Sequence, residues 1–485
     1  RRGDEMRQFE NEVQLVKYQV LKEVARFAFE GTLEKSINKI HRIVDPGPEP
    51  RFRCCIYHER AITKERVHMA LGGTRLIKNI VEVLDSACDK CLENRYVVTE
   101  TCRGCLAHRC MKSCPVKAIS MINGKAVIDY NSCIECGKCQ SSCPYDAIAD
   151  VMRPCKRVCP TNAISITKYK KAEIDDEKCI QCGACVYHCP FGAIQDKSQI
   201  VDVIDSLRKK DSNLYAIVAP AFASQYNYVD LGQVITGIKK LGFKDVVEVA
   251  LGADLVVQAE TEEFMENSKD GILTTSSCCP AFVNYVNYKY PKLEENISTT
   301  VSPMIATARL IKHIDKNATV VFIGPCIAKK SEKDRYEASE NVDFVLTFEE
   351  MAAMIDSQDI DLSNLESSPL NNASSYGRNF ASTGGLTSAI ENHIKSSELE
   401  AEFNPIKCDG INECDKALKL ASVKRLNHNF IEGMACIGGC IKGPVTMHDG
   451  KADLKRLKEY SEGAIEKTSK DAARIFPFEQ INLHR

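Results

Sequence analysis

Apolar and polar positions along this chain follow successive regimes. Over residues 1–87 the apolar positions keep helical spacing. Met6, Phe9, Val13, Val16 and Val20 recur at intervals of three and four, which places them on one helix face. The run is too short to define a coiled coil, so it predicts an amphipathic helix packed on a core. The stretch DPGPEPR at 45–51 breaks the pattern, and a second helical stretch is expected to reach about Leu84. From residue 196 onward, strand-like apolar runs alternate with helical ones: Leu214–Val218, Val246–Ala250, Ile272–Thr275, Thr319–Ile323 and Phe344–Thr347. That alternation predicts α/β layers with largely parallel strands, whose sites sit at the strands' carboxyl ends. Cys278, Cys279 and Cys326 fall just past predicted strands.

Between these regimes the pattern gives way to an internal repeat. Cys-Pro-x-x-Ala-Ile is written four times, beginning at Cys114, Cys143, Cys159 and Cys189. The first and third copies are 45 residues apart and the second and fourth 46. A two-part unit has been duplicated, so two tandem domains of one kind are expected.

Composition sharpens this reading. The 485 residues allow about three domains. A net charge of -2 argues against a nucleic-acid binder working through a large basic surface. No apolar run approaches the roughly 18 residues needed to cross a bilayer. The chain has 25 cysteines, and the 16 from Cys88 to Cys189 are crowded together. With a charged first stretch and no secretory leader in view, metal ligands in a reducing, cytoplasmic compartment are expected rather than disulfides.

Two stretches are complete C-x2-C-x2-C-x3-C-P runs: Cys133, Cys136, Cys139, Cys143 and Cys179, Cys182, Cys185, Cys189. This is the bacterial ferredoxin spacing. Three thiolates on one tight loop grip three irons of a cubane, and the fourth is expected to start a helix that crosses to the neighbouring cluster. Cys102, Cys105, Cys110 and Cys114 fit a half-unit with a widened loop. Crossed ligation then groups Cys133, Cys136, Cys139 with Cys114; Cys102, Cys105, Cys110 with Cys143; and Cys179, Cys182, Cys185 with Cys159. Cys88, Cys91, Cys155 and Cys189 remain for a fourth cluster. A zinc knuckle on Cys88, Cys91, Cys102 and Cys105 is the competing partition. Cys54, Cys55, Cys408 and Cys414 have no assigned chemistry and read as ordinary thiols.

Three further cysteine islands follow. They are Thr275-Ser-Ser-Cys278-Cys279-Pro280-Ala281-Phe282, Gly324-Pro325-Cys326-Ile-Ala-Lys329-Lys-Ser-Glu332, and Glu432-Gly-Met434-Ala435-Cys436-Ile-Gly-Gly439-Cys440. Read alone, they offer one more cubane and a spare thiol. In order and residue type they resemble the three signature motifs of FeFe-hydrogenases, over roughly 196–450. The spellings TSSCCPAF and GGCIKGP are most similar to the group B branch.

The resemblance implies a multidomain α+β/α/β protein. It would have a helical N-terminal region (1–87), two tandem bacterial ferredoxin-like 2×(4Fe-4S) domains (88–150 and 151–200), and a two-lobed α/β catalytic domain (201–485). It implies an H-cluster, a 4Fe-4S cubane joined to a two-iron unit carrying CO, cyanide and azadithiolate, besides about four accessory clusters. Cys279, Cys326, Cys436 and Cys440 would hold the cubane, with Cys440 bridging to the two-iron unit. Cys278 would move protons rather than bind metal, with Glu260, Ser298 and Glu263 continuing the route and Glu332 near it. Lys329 would hydrogen-bond one cyanide, Ala219-Pro220 would cover the other, and Met434 and Met304 would line the pocket. Ala221, Gly324, Met304 and the ending Gly443-Pro444 depart from the better-known group A pattern. Asn267 stands where an arginine marks the outer mouth of the proton route. The implied activity is reversible interconversion of H2 with two protons and two electrons. The implied partners are a ferredoxin-type carrier and maturation proteins for the two-iron unit, with no nucleic acid and no membrane segment. A low-turnover H2 or redox sensor, and a non-catalytic hydrogenase-like iron–sulfur protein, are the alternatives.

Overall fold

The computed structural model describes residues 9–474 and 480–485, so Met6 lies outside the described residues. The first helix runs Glu12–Phe29. Asn11 caps it, its side chain accepting the backbone N–H groups of Val13 and Gln14 at 3.0 and 3.1 Å. Phe9 therefore precedes the helix. Val16 and Val20 are buried as expected, together with Tyr18, Leu21 and Val24. This face packs on the helices Ile200–Leu207 and Phe348–Ser357, so the N-terminal region shares one core with the C-terminal region.

The second helical stretch is shorter than expected. A helix spans Ile56–Ala70, then Gly72 and Gly73 take φ values of 102° and 65°, which glycine adopts without a Cβ penalty and which end the helix. Val81–Val83 is instead a strand, antiparallel to Ile194–Asp196. Residues 81–83 thus pair with the strand that ends the fourth copy of the repeat.

The fourfold repeat has a local physical cause. In every copy the cysteine follows a short helix rather than starting one, which corrects the sequence expectation. The helices are Arg109–Ser113, Lys138–Ser141, Pro154–Val158 and Ala184–His188. The repeat alanine turns its N–H back to the cysteine sulfur: Ala118 to Cys114 at 3.2 Å, Ala147 to Cys143 at 3.4 Å, Ala163 to Cys159 at 3.2 Å and Ala193 to Cys189 at 3.3 Å. The isoleucine opens a strand in each case, at Ile119, Ile148, Ile164 and Ile194. Proline fits between because the cysteine has already left helical geometry, with an extended backbone in three of the four copies.

The C-terminal region contains two parallel sheets. The first has the order Asp245–Glu248, Leu214–Val218, Thr319–Gly324, Phe344–Thr347. The second has Thr274–Thr275, Phe430–Met434, Pro405–Asp409. Three of the five expected strands shift at their ends, and Val249 and Ala250 already belong to the helix Val249–Lys269. The strands Pro405–Asp409 and Phe430–Met434 lack a continuous apolar signal in the sequence, because Lys407, Asp409 and Glu432 interrupt it.

A buried charge cluster ties the regions together. Lys330 Nζ lies 2.7 Å from Asp196 and 2.9 Å from Glu350. Lys17 Nζ lies 2.8 Å from Asp196 and 3.0 Å from Glu349. Burial pulls Lys17 down, but Asp196 and Glu349 outweigh it and hold the ammonium above its usual range.

Candidate functional site

Four of the five candidate cysteines follow the end of a strand, and Cys440 opens the short 3-10 turn Cys440–Lys442. Cys278 and Cys279 follow Thr274–Thr275, Cys326 follows Thr319–Gly324, and Cys436 follows Phe430–Met434. The loops close tightly. Gly433 lies against the Phe282 ring, where an added Cβ would approach to 2.3 Å, and Gly439 takes φ 83° against the Ala381 carbonyl, 2.6 Å from such an atom. Cys436 has Cys326, Cys279 and Cys440 as electrostatic neighbours, and Cys440 has Cys326 and Cys279. Burial and those neighbouring sulfurs push Cys440 up to about 12 and Cys326 to about 11. Cys326, Cys436 and Cys440, raised in this way, are poor acids in the absence of a bound cation that would displace their protons.

Cys278 faces a different set of groups. It is 9% exposed, and its thiol is raised by burial, then by Glu260, Cys279 and Glu432. Lys329 Nζ is 2.6 Å from Glu332 and donates to the Cys278 carbonyl at 3.3 Å. Ala219 N–H donates to the Ile323 carbonyl at 2.9 Å, bringing Ala219-Pro220 beside the end of the neighbouring strand. Gly324 is explained there: a Cβ would come within 2.5 Å of the Phe322 ring and 3.2 Å of the Ala219 Cβ. Gly443, at the departing end of the third motif, packs on the Pro325 carbonyl. Met304 and Met434 are buried.

The expected proton carriers form two groups rather than one hydrogen-bonded chain. Glu260 is 0% exposed, and neither carboxylate oxygen has a hydrogen-bond partner among the described residues. Burial, then Glu263 and Glu432, raise it well above the carboxylate range. Glu263 accepts from Ser298 Oγ at 2.6 Å, Thr299 N–H at 2.8 Å and Thr300 Oγ1 at 3.2 Å. Asn267 is tied to Thr274 Oγ1 at 3.1 Å.

Two neighbouring residues were not assigned from sequence. Glu432 is fully buried beside Cys278 and accepts from Gly384 N–H at 2.8 Å and Thr387 N–H at 2.9 Å. A charged residue inside an otherwise apolar strand was the available signal. Arg485 supplies a cationic influence on Glu260, and nothing in its local sequence marks it.

The other 16 cysteines gather in fours. Cys114, Cys133, Cys136 and Cys139 line one cavity. Cys159, Cys179, Cys182 and Cys185 line another. Cys110 has Cys143 and Cys105 beside it, and Cys102 Sγ accepts from Ala126 N–H at 3.5 Å in the same unit. Cys155 is raised to about 11 by burial, then by Cys189, Cys91 and Cys88. Cys88 and Cys91 thus lie with the second repeat unit. Among the described residues no group of three or more His, Cys, Asp or Glu is arranged for a single metal ion.

The Cys179–Cys185 loop meets the loops that carry Cys326 and Cys440 directly. A Cβ on Gly183 would strike Ile327 at 2.6 Å and Pro444 at 2.8 Å. A groove of about 660 Å3 has Cys159 and Cys182 on one side and Cys436 on the other. Cys408 and Cys414 are buried together, with Cys414 Sγ 3.6 Å from the Met434 carbonyl oxygen. Cys54 and Cys55 are exposed, with Cys54 Sγ 3.4 Å from His58 Nδ1.

Among the described residues no helix is long and apolar enough to cross a membrane. The family model for the C-terminal domain of the iron only hydrogenase large subunit matches residues 212–444. A 4Fe-4S dicluster domain model matches 95–144, and an LdpA Fe-S cluster-binding domain model matches 149–200. The chain is 28% identical over 314 residues to iron hydrogenase 1 of Clostridium pasteurianum, covering 54% of this chain and 55% of that protein. It is 27% identical over 424 residues to the NADP-reducing hydrogenase subunit HndD of Solidesulfovibrio fructosivorans, covering 70% and 67%. A shorter match of 137 residues, 32% identical, is to the cytosolic Fe-S cluster assembly factor NAR1 of Eremothecium gossypii, covering 27% and 30%. The match to the Clostridium protein spans little more than half of that relative's length. Cysteine grouping and family matches coincide along the chain: it is similar to FeFe-hydrogenases, with matches to iron–sulfur cluster domains preceding the match to the C-terminal domain of the hydrogenase large subunit.

Proposed function

We propose that the chain is a hydrogenase of the group B branch, interconverting H2 with two protons and two electrons in the cytoplasm. The observation that carries this reading is the convergence of Cys279, Cys326, Cys436 and Cys440, with Cys278 beside them facing Glu260. The four converging thiols fit a cubane. A two-iron unit with CO, cyanide and azadithiolate, installed by maturation proteins and joined through Cys440, would supply the redox chemistry when bound. The two parallel sheets would form the two lobes around it. We place the unit boundaries at 1–87, 88–150, 151–200 and 201–485.

The chain's own residues would deliver the protons. Cys278 keeps its proton at Sγ because burial and nearby carboxylates oppose thiolate formation, so it acts as a donor and regains a proton from Glu260. Glu260 stays neutral for the same reason and can pass a proton on. Glu263, fixed by Ser298, Thr299 and Thr300, receives protons nearer the surface. Movement between Glu260 and this second group requires a bridging water or a side-chain rotation, since no direct hydrogen bond joins them. Lys329 sets a positive charge against an anionic ligand in a low-dielectric pocket, with Glu332 fixing its position.

Electrons would pass along clusters on Cys102, Cys105, Cys110, Cys143; Cys114, Cys133, Cys136, Cys139; Cys88, Cys91, Cys155, Cys189; and Cys159, Cys179, Cys182, Cys185. The last set borders Cys436 through the groove already described. A ferredoxin-type carrier would supply or take the electrons.

The test is H2 production by matured protein with reduced methyl viologen. Turnover that collapses in Cys278→Ala supports the reading. Full turnover in that variant overturns the proton route, and none in the parent overturns the activity. The NAR1 match gives a second reading, a non-catalytic assembly factor; the retained Cys278 and Lys329 argue for the enzyme.

A further inference from the structure

The widened loop of the first iron–sulfur unit differs from its regular counterparts in a way the backbone makes plain. In the regular loops the residue before the second cysteine, and the glycine after it, take positive φ. These are Glu135 at 52° and Gly137 at 77°, and Gln181 at 56° and Gly183 at 78°. In the widened loop Gly104 at 56° and His108 at 46° fill those two places. The extra residues are therefore Leu106 and Ala107, between Cys105 and His108. Leu106 is 96% exposed. The matching turn of the second unit, at Gly183, is buried against Ile327 and Pro444. One loop is pressed on the catalytic domain, while the other presents an apolar tip to solvent.

Charge around that tip is one-sided. From residue 101 to 128 the sequence has five Lys and Arg and no Asp or Glu, in a chain whose net charge is -2. Arg103, Arg109, Lys112 and Lys117 are exposed, and none has an ion-pair partner among the described residues; only Lys125 is paired, with Glu100. Lys138 is exposed on the next short helix, which packs on Arg109–Ser113, where Ser113 Oγ donates to the Lys138 carbonyl at 3.2 Å. The hydrogen bonds of residues 102–117 all stay within 99–138 among the described residues. Among the described residues no acidic side chain from the rest of the chain pairs with this face.

We propose that this face, exposed Leu106 together with the exposed cations Arg103, Arg109, Lys112, Lys117 and Lys138 of the same unit, is the docking surface for an acidic single-electron carrier protein, and that the site on Cys102, Cys105, Cys110 and Cys143 is the port through which electrons enter or leave. The proposal rests on the electron-transfer reading above. An apolar tip together with exposed cations suits a transient complex: the cations steer an acidic partner and the tip excludes water beneath it. Each docking passes one electron, oxidising the carrier and reducing the chain, so two dockings and two protons balance one H2.

The experiment is titration of an acidic 2[4Fe-4S] ferredoxin into cluster-loaded protein, alongside the triple variant Arg109→Glu/Lys112→Glu/Lys117→Glu. We expect at least tenfold weaker binding at low salt in the variant, with the difference shrinking as salt rises. Unchanged binding overturns the proposal. So does equal affinity of the parent for anionic phosphatidylglycerol vesicles or a DNA duplex. Iron content and the methyl viologen rate, expected to be unaltered, establish that the variant folds and loads; if loading fails, Arg109→Gln/Lys112→Gln, expected to weaken binding at least threefold, takes its place. Absent viologen activity in the parent with charge-dependent binding intact would refute the hydrogenase reading and leave the docking surface standing.

Discussion

Replacing Glu260 with glutamine isolates the least conventional group in the site. Its carboxyl is fully buried without a protein partner among the described residues and is raised above the usual range by burial, then by Glu263 and Glu432. In the unfolded chain the group ionises near 4.5. Between that value and the raised folded value, the folded chain holds a proton that the unfolded chain has lost. The group's contribution to stability is complete below the unfolded value and is lost as pH rises toward the folded one, at about 1.4 kcal/mol per pH unit. From pH 5 to pH 7 this amounts to at most about 2.7 kcal/mol. Glutamine keeps the shape and carries no such slope. Glu260→Gln should match the parent near pH 4.5 and become progressively more stable than it toward neutrality. Glu432 is also raised by its burial, so some slope remains in both proteins. Anaerobic urea midpoints at half-unit pH steps measure the difference. H2 turnover should meanwhile fall about 10²- to 10⁴-fold, the range for a lost general acid–base group. A stability difference that does not change with pH would refute the protonated-carboxyl argument, even if turnover fell.

Other perturbations probe other parts of the structure. Lys330→Met leaves Glu350 and half the charge of Asp196 uncompensated in a buried cluster, and should cost about 3–5 kcal/mol in denaturant unfolding; a loss under 1 kcal/mol would show that the cluster is solvated. Gly183→Val forces a branched side chain at φ 78° into Ile327 and Pro444; it should lower stability by at least about 1 kcal/mol and slow carrier-driven turnover more than viologen-driven turnover. Cys155→Ala should lower bound iron by about four atoms per chain while the other cluster signals persist, and unchanged iron would reject the Cys88, Cys91, Cys155, Cys189 partition.

How much of this was legible beforehand depended on the signal. Cysteine spacing is read directly, and the repeat's Ala-Ile ending turned out to encode an N–H···S bond and a strand start. The parallel sheets were visible where apolar runs were continuous, as at Leu214–Val218. They were hidden at Phe430–Met434, where the buried Glu432 is satisfied by Gly384 and Thr387, residues no local pattern could connect to it. The expected helix to Leu84 failed because propensity in residues 74–84 is overruled by strand pairing with Ile194–Asp196. The candidate proton carriers Cys278, Glu260, Ser298 and Glu263 follow from the resemblance alone, whereas their division into two groups depends on side-chain reach that spacing along the chain does not specify.

The central claim is most directly tested by the infrared spectrum of purified, matured protein in the window between the protein bands. Carbon monoxide and cyanide stretches that vanish in Cys440→Ala are the predicted result. A spectrum without those bands in protein that retains its full complement of cubane iron would contradict the account.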